Sequence, residues 1–263
     1  MKYTINYAVL CHKGHVRSMN QDNFWCAATF LESNNEGLPE TLSGSAEATD
    51  TPAFAVFDGM GGEQRGEMAA YIAASQFDTL YRAKSKKDPK LFLLETCSVI
   101  NDRICLYQQE NHIRQMGTTA AILMFGMNDV YICNLGDSRV YLHSGIRLTQ
   151  ISHDHSVTGT DDAKPPLTQN LGIPETEFII EPYIAKGPYR SGDRYLVCSD
   201  GLTDMVSESE MCSTLSTHNK ASDAANDLMR KALENGGVDN ISIILCEVRK
   251  QRMFHLWKKH SKT

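Results

Sequence analysis

The chain lacks any long apolar run, and its 263 residues carry an acidic balance. No stretch approaches the roughly 20 apolar residues that a membrane-spanning helix needs. Asn6 interrupts the N-terminal apolar segment, which has no small-residue cleavage site, so we expect no signal peptide. A net charge of −6 and a pI near 5.8 argue against a nucleic-acid-binding surface. No repeat or low-complexity linker divides the sequence, which predicts one domain over residues 1–249 and a basic tail at 250–263.

The sequence also lacks paired cysteines. It has eight cysteines, none in a C-x-x-C pair, and several lie inside apolar runs. This distribution is not typical of a disulfide framework or a zinc site, and it predicts buried thiols in a reducing compartment. We therefore expect a cytoplasmic location.

One acidic residue stands where an apolar strand meets glycines. In FAVFDGMGG, residues 54–62, four apolar residues predict a strand buried on both faces, and Asp58 follows with Gly59, Gly61 and Gly62. Glycines let the backbone bend and approach a ligand closely. A carboxylate beside such backbone suits a hard cation that prefers oxygen ligands, such as Mg²⁺ or Mn²⁺. The alternative is a tight turn with an aspartate capping the next helix.

The same arrangement recurs three times. Asp200 follows the apolar run of YLVCSDGLTD, Asp239 precedes that of GGVDNISIILCEV, and Asp137 lies in a Gly-Asp-Ser turn between two strand-like runs. Four aspartates at four strand ends, far apart in sequence, favour a metal site on one rim of a sheet.

Apolar periodicity predicts an α+β protein. Helices are predicted at 64–83, 89–112, 207–216 and 220–235. Strands are predicted at 3–11, 24–31, 54–57, 116–125, 130–135, 138–142, 146–151, 177–184, 194–199 and 240–248. Continuous apolar strands imply cover on both faces, which indicates two stacked antiparallel sheets with helix pairs outside. We further expect a meander over 116–151 and a polar loop over 32–51.

Seven motifs occur in an order that resembles the metal-dependent protein phosphatases of the type 2C (PPM) class, bacterial branch. They are GHVRSMNQD, FAVFDGMGG, MGTT, LGDSRVYL, LTQNLG, YLVCSDGLTD and VDN, and they span about residues 5 to 248. The resemblance implies a four-layer α-β-β-α sandwich that hydrolyses phosphoserine and phosphothreonine in proteins. It also implies two core Mn²⁺ or Mg²⁺ ions, a third ion, and direct attack by a water bridging the core pair.

The resemblance assigns a role to each motif aspartate. Asp58 would bridge the two core ions, with the Gly59 carbonyl on one of them, and Asp200 and Asp239 would complete the other shell. Asn240 would orient the Asp239 carboxylate.

The remaining roles fall on three residues. Asp22 would hold metal-bound waters, Asp137 would help to bind the third ion, and Arg17 would grip the substrate phosphate. The catalytic set implied in this way is Asp22, Asp58, Asp200 and Asp239.

The sequence departs from the family pattern at three places. Gln21 stands where many members have glutamate, and Met60 stands where eukaryotic members have histidine. The acid that protonates the leaving group is therefore unassigned, with water as a candidate. The segment 155–167 is shorter than the usual flap, which puts substrate choice in question more than chemistry.

Several residues have a plainer interpretation. We expect HDH at 153–155 to be structural or solvent-exposed rather than a zinc motif. Asp161 and Asp162 are expected to be loop polarity, with a role near the third ion as the alternative. Thr118 and Thr119 are expected to make strand-end hydrogen bonds.

Partners follow from the proposed chemistry. We expect phosphorylated protein substrates, an opposing Ser/Thr kinase and a monomer, with a terminal helix favoured over a membrane contact for the tail. Two rivals stay open. One is a non-catalytic phosphoprotein-binding module, and the other is a phosphatase of small phosphate esters.

Overall fold

The computed structural model describes residues 2–60, 65–83, 85–157 and 165–251. The predictions for Gly61, Gly62, Asp161, Asp162 and most of the tail lie outside these residues.

Strands and helices alternate in blocks along the described chain. The strands are β1 (Tyr3–His12), β2 (Asp22–Cys26), β3 (Leu42–Glu47), β4 (Ala53–Met60), β5 (Gly117–Thr118), β6 (Ala120–Phe125), β7 (Asp129–Leu135), β8 (Arg139–Ser144), β9 (Arg147–Gln150), β10 (Tyr183–Pro188), β11 (Arg194–Cys198) and β12 (Ile241–Lys250). The helices are α1 (Gly66–Ala83), α2 (Pro89–Glu110), α3 (Asp200–Thr203), α4 (Glu208–Thr217) and α5 (Ala221–Glu234).

Two antiparallel sheets form the centre of the molecule. One has the order β3-β1-β12-β11-β8-β9, and the other has the order β10-β7-β6-β4-β2 with β5 paired to β4. Their facing surfaces bury one apolar cluster that includes Phe54, Val56, Leu123, Tyr195 and Ile244. Burial of apolar surface of this kind is the main force that holds two sheets together.

Helices cover the outer face of each sheet. On one side α1 packs on β2 and β4, and α2 packs on α1 and contacts β7. On the other side α5 packs on β1 and β12, and α4 packs on α5 and contacts β9. Phe77 and Phe92 belong to the buried cluster of the first side, and Leu215 and Leu228 to that of the second. Proline begins α2, and Asp88 caps it by accepting from the backbone of Leu91 at 3.1 Å. The predicted α-β-β-α sandwich is confirmed.

The predicted meander is wrong at one junction. The strands β6 and β7 pair in one sheet, but β8 pairs with β9 and β11 in the other. The chain crosses between the sheets at Gly136, whose φ of +92° favours glycine. Asp137 follows at the crossing, so the error falls at a candidate site residue.

Other element boundaries also differ from the predictions. The expected loop at 32–51 contains the edge strand β3, whose mostly small and polar residues carry little strand signal. The strand predicted at 24–31 ends at Cys26, and the one predicted at 177–184 is shifted to 183–188. None of the described helices is long and apolar enough to span a membrane.

Candidate metal centre

Acidic residues gather where the two sheets end on one side of the sandwich. Asp22 begins β2 and lies directly across from Asp58 near the end of β4. Asp200 opens α3 immediately after β11, and Asp239 stands two residues before β12. Asp137 lies in the crossing between β7 and β8. The structure brings all five predicted aspartates to this rim.

Asp22 is the most deeply buried of these carboxylates. Its Oδ2 accepts hydrogen bonds from the hydroxyls of Ser199 and Ser242, both at 2.7 Å. Its Oδ1 is buried and has no hydrogen-bond partner among the described residues. Burial raises the pKa of Asp22 to about 7, against the opposing effect of the two hydroxyls and with help from neighbouring carboxylates.

A cavity of about 150 Å³ opens between three of the aspartates. Asp58, Asp137 and Asp200 line it together with Met60 and Thr119. Burial raises the pKa of Asp58 well above its ordinary value, and the charges of the four other aspartates raise it further. Carboxylates that repel one another in this way are stabilised by a cation.

Backbone hydrogen bonds fix the position of Asp58. Its N–H donates to Thr119 Oγ1 at 3.0 Å, and its carbonyl accepts from the Thr119 N–H at 2.8 Å. The Thr118 hydroxyl donates to the same carbonyl at 3.0 Å. Thr118 and Thr119 thus make the strand-end hydrogen bonds that were predicted for them.

Arg17 forms an ion pair with one of the rim aspartates, Asp239. Its Nε and Nη2 donate to the two carboxylate oxygens of Asp239 at 2.8 and 2.7 Å. The Arg17 side chain is 51% exposed, whereas that of Asp239 is 17% exposed. Hydrogen bonding to Asp239 raises the pKa of Arg17, and the charges of Asp200 and Asp58 contribute.

Asn240 contacts Asp239 through its backbone and a different segment through its side chain. Its side chain donates to the carbonyls of Lys13 and Met19 and accepts from the Gln21 N–H, at 2.7, 3.0 and 2.8 Å. Only its backbone N–H contacts the Asp239 carboxylate, at 2.9 Å. The Asn240 side chain therefore holds the segment that carries Arg17, while its backbone supplies a contact to the Asp239 carboxylate.

Close backbone approaches keep the rim compact. A Cβ on Gly201 would lie 2.0 Å from the Asn240 carbonyl, so the start of α3 packs directly against the start of β12. A Cβ on Gly59 would lie 2.1 Å from the Gly66 carbonyl. Whether the Gly59 carbonyl binds a cation stays a prediction.

The HDH segment has the structural role that was predicted. Asp154 accepts from Arg139 at 2.7 and 2.8 Å and from Gln150 at 2.7 Å. His155 Nδ1 accepts from the Gly136 N–H at 3.3 Å, and burial lowers the pKa of His155. These contacts brace the crossing that positions Asp137.

The donor set fits a hard divalent cation by its chemistry. Within the described ranges, no three Asp, Glu, His or Cys side chains already surround one ion position. Arg17 occupies the oxygens of Asp239, and two hydroxyls occupy one oxygen of Asp22. The buried Asp22 Oδ1 and the mutual repulsion around Asp58 nevertheless match what Mg²⁺ and Mn²⁺ need, which is several oxygen ligands. Ligation by each aspartate stays a prediction.

Sequence reasoning missed the hydroxyls that support the carboxylates. Ser199 and Ser242 hold Asp22, and Ser138 contacts Thr119 Oγ1 at 2.7 Å. Each serine adjoins or nearly adjoins a motif aspartate in sequence, which is the only signal that pointed to them.

Comparisons with known proteins agree with the geometry. The profile of the family described as Protein phosphatase 2C matches residues 43–235. Serine/threonine phosphatase stp of Listeria monocytogenes is 30% identical over 254 residues, covering 89% of this chain and 92% of the relative. Serine/threonine protein phosphatase PstP of Mycobacterium tuberculosis is 28% identical over 255 residues, covering 93% of this chain and 45% of the relative.

Solved structures show the same fold. The catalytic domain of PstP, in a crystal structure with two manganese ions, aligns with a TM-score of 0.77 at 27% identity and covers 94% of this chain and 100% of that one. PppA of Pseudomonas aeruginosa, described as a regulatory component of T6SS, aligns with a TM-score of 0.74 at 25% identity, covering 93% and 97%.

Proposed function

Since this chain belongs to the protein phosphatase 2C family, we propose that it hydrolyses phosphoserine and phosphothreonine in proteins with two divalent cations at the acidic rim. It is a metal-dependent protein serine/threonine phosphatase. The observation that carries the finer proposal is the gathering of Asp22, Asp58, Asp137, Asp200 and Asp239 from distant parts of the sequence.

The aspartates divide into two groups by their surroundings. Asp58 and Asp200 reach the open cavity and are the proposed direct ligands, with Asp239 beside them and Asp137 as the ligand of a third ion. Asp22 is more deeply buried, and the Ser199 and Ser242 hydroxyls fix one of its oxygens. Its other oxygen is available to orient water. When bound, paired divalent ions acidify a water between them and neutralise phosphoryl charge.

Arg17 is the proposed phosphate-binding residue. Its exposed guanidinium already presents a planar pair of donors to an acidic partner, Asp239. The same fork geometry matches two oxygens of a phosphate. We propose that Arg17 leaves Asp239 when cations and substrate bind, and that it then orients the phosphoryl group for in-line attack.

No side chain in this cavity is an evident leaving-group acid. Met60 forms part of the wall, and the described lining contains no histidine. We propose that water protonates the departing serine or threonine oxygen, and that attack is direct with no covalent enzyme intermediate. Rate enhancements for phosphate monoesters reach up to ~10²¹, so electrostatic stabilisation of the transition state is the main requirement.

The wider assignments extend this proposal. We propose Mn²⁺ as the preferred ion, because the related PstP domain carries two manganese ions, with Mg²⁺ as the alternative. We also propose phosphorylated protein substrates that an opposing Ser/Thr kinase supplies, a monomeric state and a cytoplasmic location.

One assay separates this function from its rivals. Turnover is measured with Mn²⁺ on a phosphothreonine peptide and on p-nitrophenyl phosphate, before and after EDTA. The proposal expects peptide hydrolysis that EDTA abolishes and Mn²⁺ restores. Activity on the small ester alone would favour the small-ester phosphatase, and activity on neither would favour the binding module.

A further inference from the structure

A second cavity lies at the other end of β4 from the acidic rim. It has a volume of about 220 Å³, and its walls include Tyr7, Trp25, Phe54 and Tyr81. For comparison, an apolar cavity of about 150 Å³ holds a benzene molecule. The cavity is therefore large enough for one aromatic side chain.

The backbone around this cavity is strained. Ala27 and Ala28 line it with φ of 49° and 62°, and Thr51, between the lining residues Asp50 and Pro52, has φ of 52°. These are three of the five non-glycine residues with positive φ in the described chain. Left-handed conformations of such residues are unfavourable and concentrate where a surface has a function.

The strand β12 ends close to this cavity. Gln251, the last described residue, donates through its side chain to Thr4 and Glu47 at the ends of β1 and β3. Glu47 directly follows Ala46, which lines the cavity. The six residues from 252 to 257 can extend over up to about 20 Å. The distance from β12 across β1 to β3, which carries Ala46, is two strand spacings, or about 10 Å. Trp257 is thus within reach of the cavity.

Charge favours the same placement. The segment 32–51, which ends at the cavity, contains five acidic residues and no lysine or arginine. The tail segment, residues 252–263, contains four lysines and arginines and no acidic residue. Asp50 and Arg82 both line the cavity, so the acidic excess comes from the rest of the segment 32–51. Opposite charges on two parts of one chain favour their association. Because both parts belong to the same chain, the effective concentration of the tail segment at the cavity is in about the millimolar range.

We propose that the tail segment docks on the chain's own sandwich, with the indole of Trp257 in the cavity and the flanking lysines beside the acidic segment 32–51. This contact is separate from the acidic rim, because Ala53 and Asp58 are roughly 17 Å apart along β4. It predicts a binding site for an aromatic-basic peptide that the phosphatase function does not require.

Tryptophan fluorescence tests the proposal in the full-length chain. The chain has two tryptophans, and Trp25 is only 2% exposed. The difference between the chain and its Trp257→Phe variant reports on Trp257, and Trp25 in the cavity wall contributes to this difference only when the two indoles are in contact. We expect this emission to be blue-shifted, with an acrylamide quenching constant several-fold below that in the denatured chain.

A filled cavity should release the indole. Ala46→Phe places a ring in the cavity from β3, and it should raise the Trp257 quenching constant several-fold. Ser45→Phe is the matched control, since its side chain is on the opposite, exposed face of the same strand. It should leave the quenching constant unchanged.

A second variant avoids any change to the folded core. Lys258→Glu with Lys259→Glu should also raise quenching, and 1 M NaCl should act in the same direction, whereas Ser261→Ala should not. The proposal is overturned if Trp257 is as accessible as in the denatured chain, or if neither Ala46→Phe nor the double variant changes its quenching. It is also overturned if protection depends on protein concentration, which indicates a second copy, or arises only with anionic phosphatidylglycerol vesicles, which indicates a lipid surface.

Discussion

The two ends of β4 differ in what they bury. Near its start, Phe54 contributes to an apolar cavity with an aromatic wall. Near its end, Asp58 faces four other carboxylates whose charges raise its pKa. One end is stabilised by removing apolar surface from water, whereas the other concentrates charges that repel one another.

This difference indicates where folding and function conflict. The apolar cluster between the sheets supplies the rigidity that holds the rim residues in position. The close carboxylates of the rim repel one another, which lowers the stability of the folded protein. Bound cations would raise this stability. Substitutions at the acidic end should therefore change activity more than stability, and substitutions at the apolar end should change stability more than activity.

The largest effect should come from Asp58→Asn. The change removes a central charge of the rim, so we expect kcat/KM with Mn²⁺ to fall by more than about 100-fold. Stability of the metal-free protein should be equal or higher, because a repelling charge is lost. Activity assays and thermal unfolding measure the two quantities. Asp129→Asn, at an exposed carboxylate near Lys186, is the control and should change neither. Near-normal turnover in Asp58→Asn would remove Asp58 from the site.

The next effect concerns pH in the absence of metal. The pKa of Asp22 is raised to about 7 in the folded state, above the ordinary value of 3.8. Between these values the folded state binds more protons than the unfolded state, so stability should fall as pH rises from about 4 to about 7. For a chain of this size, each kcal/mol lost lowers Tm by about 2–4 °C.

Thermal unfolding against pH, in EDTA, measures this dependence. Asp22→Asn cannot titrate and should make the curve less steep over the same window, while Asp58, whose pKa is also raised, continues to contribute. An equally steep curve in that variant would assign the dependence to another group.

Arg17→Ala should have a smaller and more selective effect. Loss of charge-assisted hydrogen bonds to phosphate should raise KM by about 10- to 100-fold with little change in kcat. Because the Arg17 side chain is half exposed, stability should change by less than about 1 kcal/mol. Arg17→Lys keeps the charge but lacks the planar pair of donors, so its KM should lie between that of the unchanged chain and that of Arg17→Ala. An unchanged KM would exclude Arg17 from substrate binding.

The smallest effect should appear at the apolar end. Ala28 has φ of 62°, so Ala28→Gly should relieve strain and stabilise the protein by about 0.5 kcal/mol, with no change in turnover. Ala185→Gly in β10, where φ is not positive, should instead destabilise it. Chemical denaturation measures the change in the free energy of unfolding for both variants. Destabilisation by Ala28→Gly would show that the turn is not strained.

The sequence predicted the layers and the aspartates because both have local signals. Apolar runs mark the strands; Asp58 directly follows one such run, and Asp200 follows another after a single serine. The crossing at Gly136 was missed because β7 and β8 have the same apolar pattern. No local feature of the sequence indicates in which sheet a strand pairs. The edge strand β3 was missed because its residues are small and polar.

Side-chain partners were the least predictable part of the site. Arg17 and Asp239 are 222 residues apart, and their pairing depends on how Asn240 holds the segment that carries Arg17. Ser199 and Ser242 contact Asp22 only because β11 and β12 bring them there. Such contacts follow from tertiary structure and leave no periodic signal in the sequence.

Anomalous diffraction from a crystal soaked in Mn²⁺ tests the central claim most directly. The account predicts two strong manganese peaks at the acidic rim, with Asp58 contacting both and Asp239 released from Arg17. Absence of peaks between these carboxylates at full soak, with Arg17 still bound to Asp239, would contradict it.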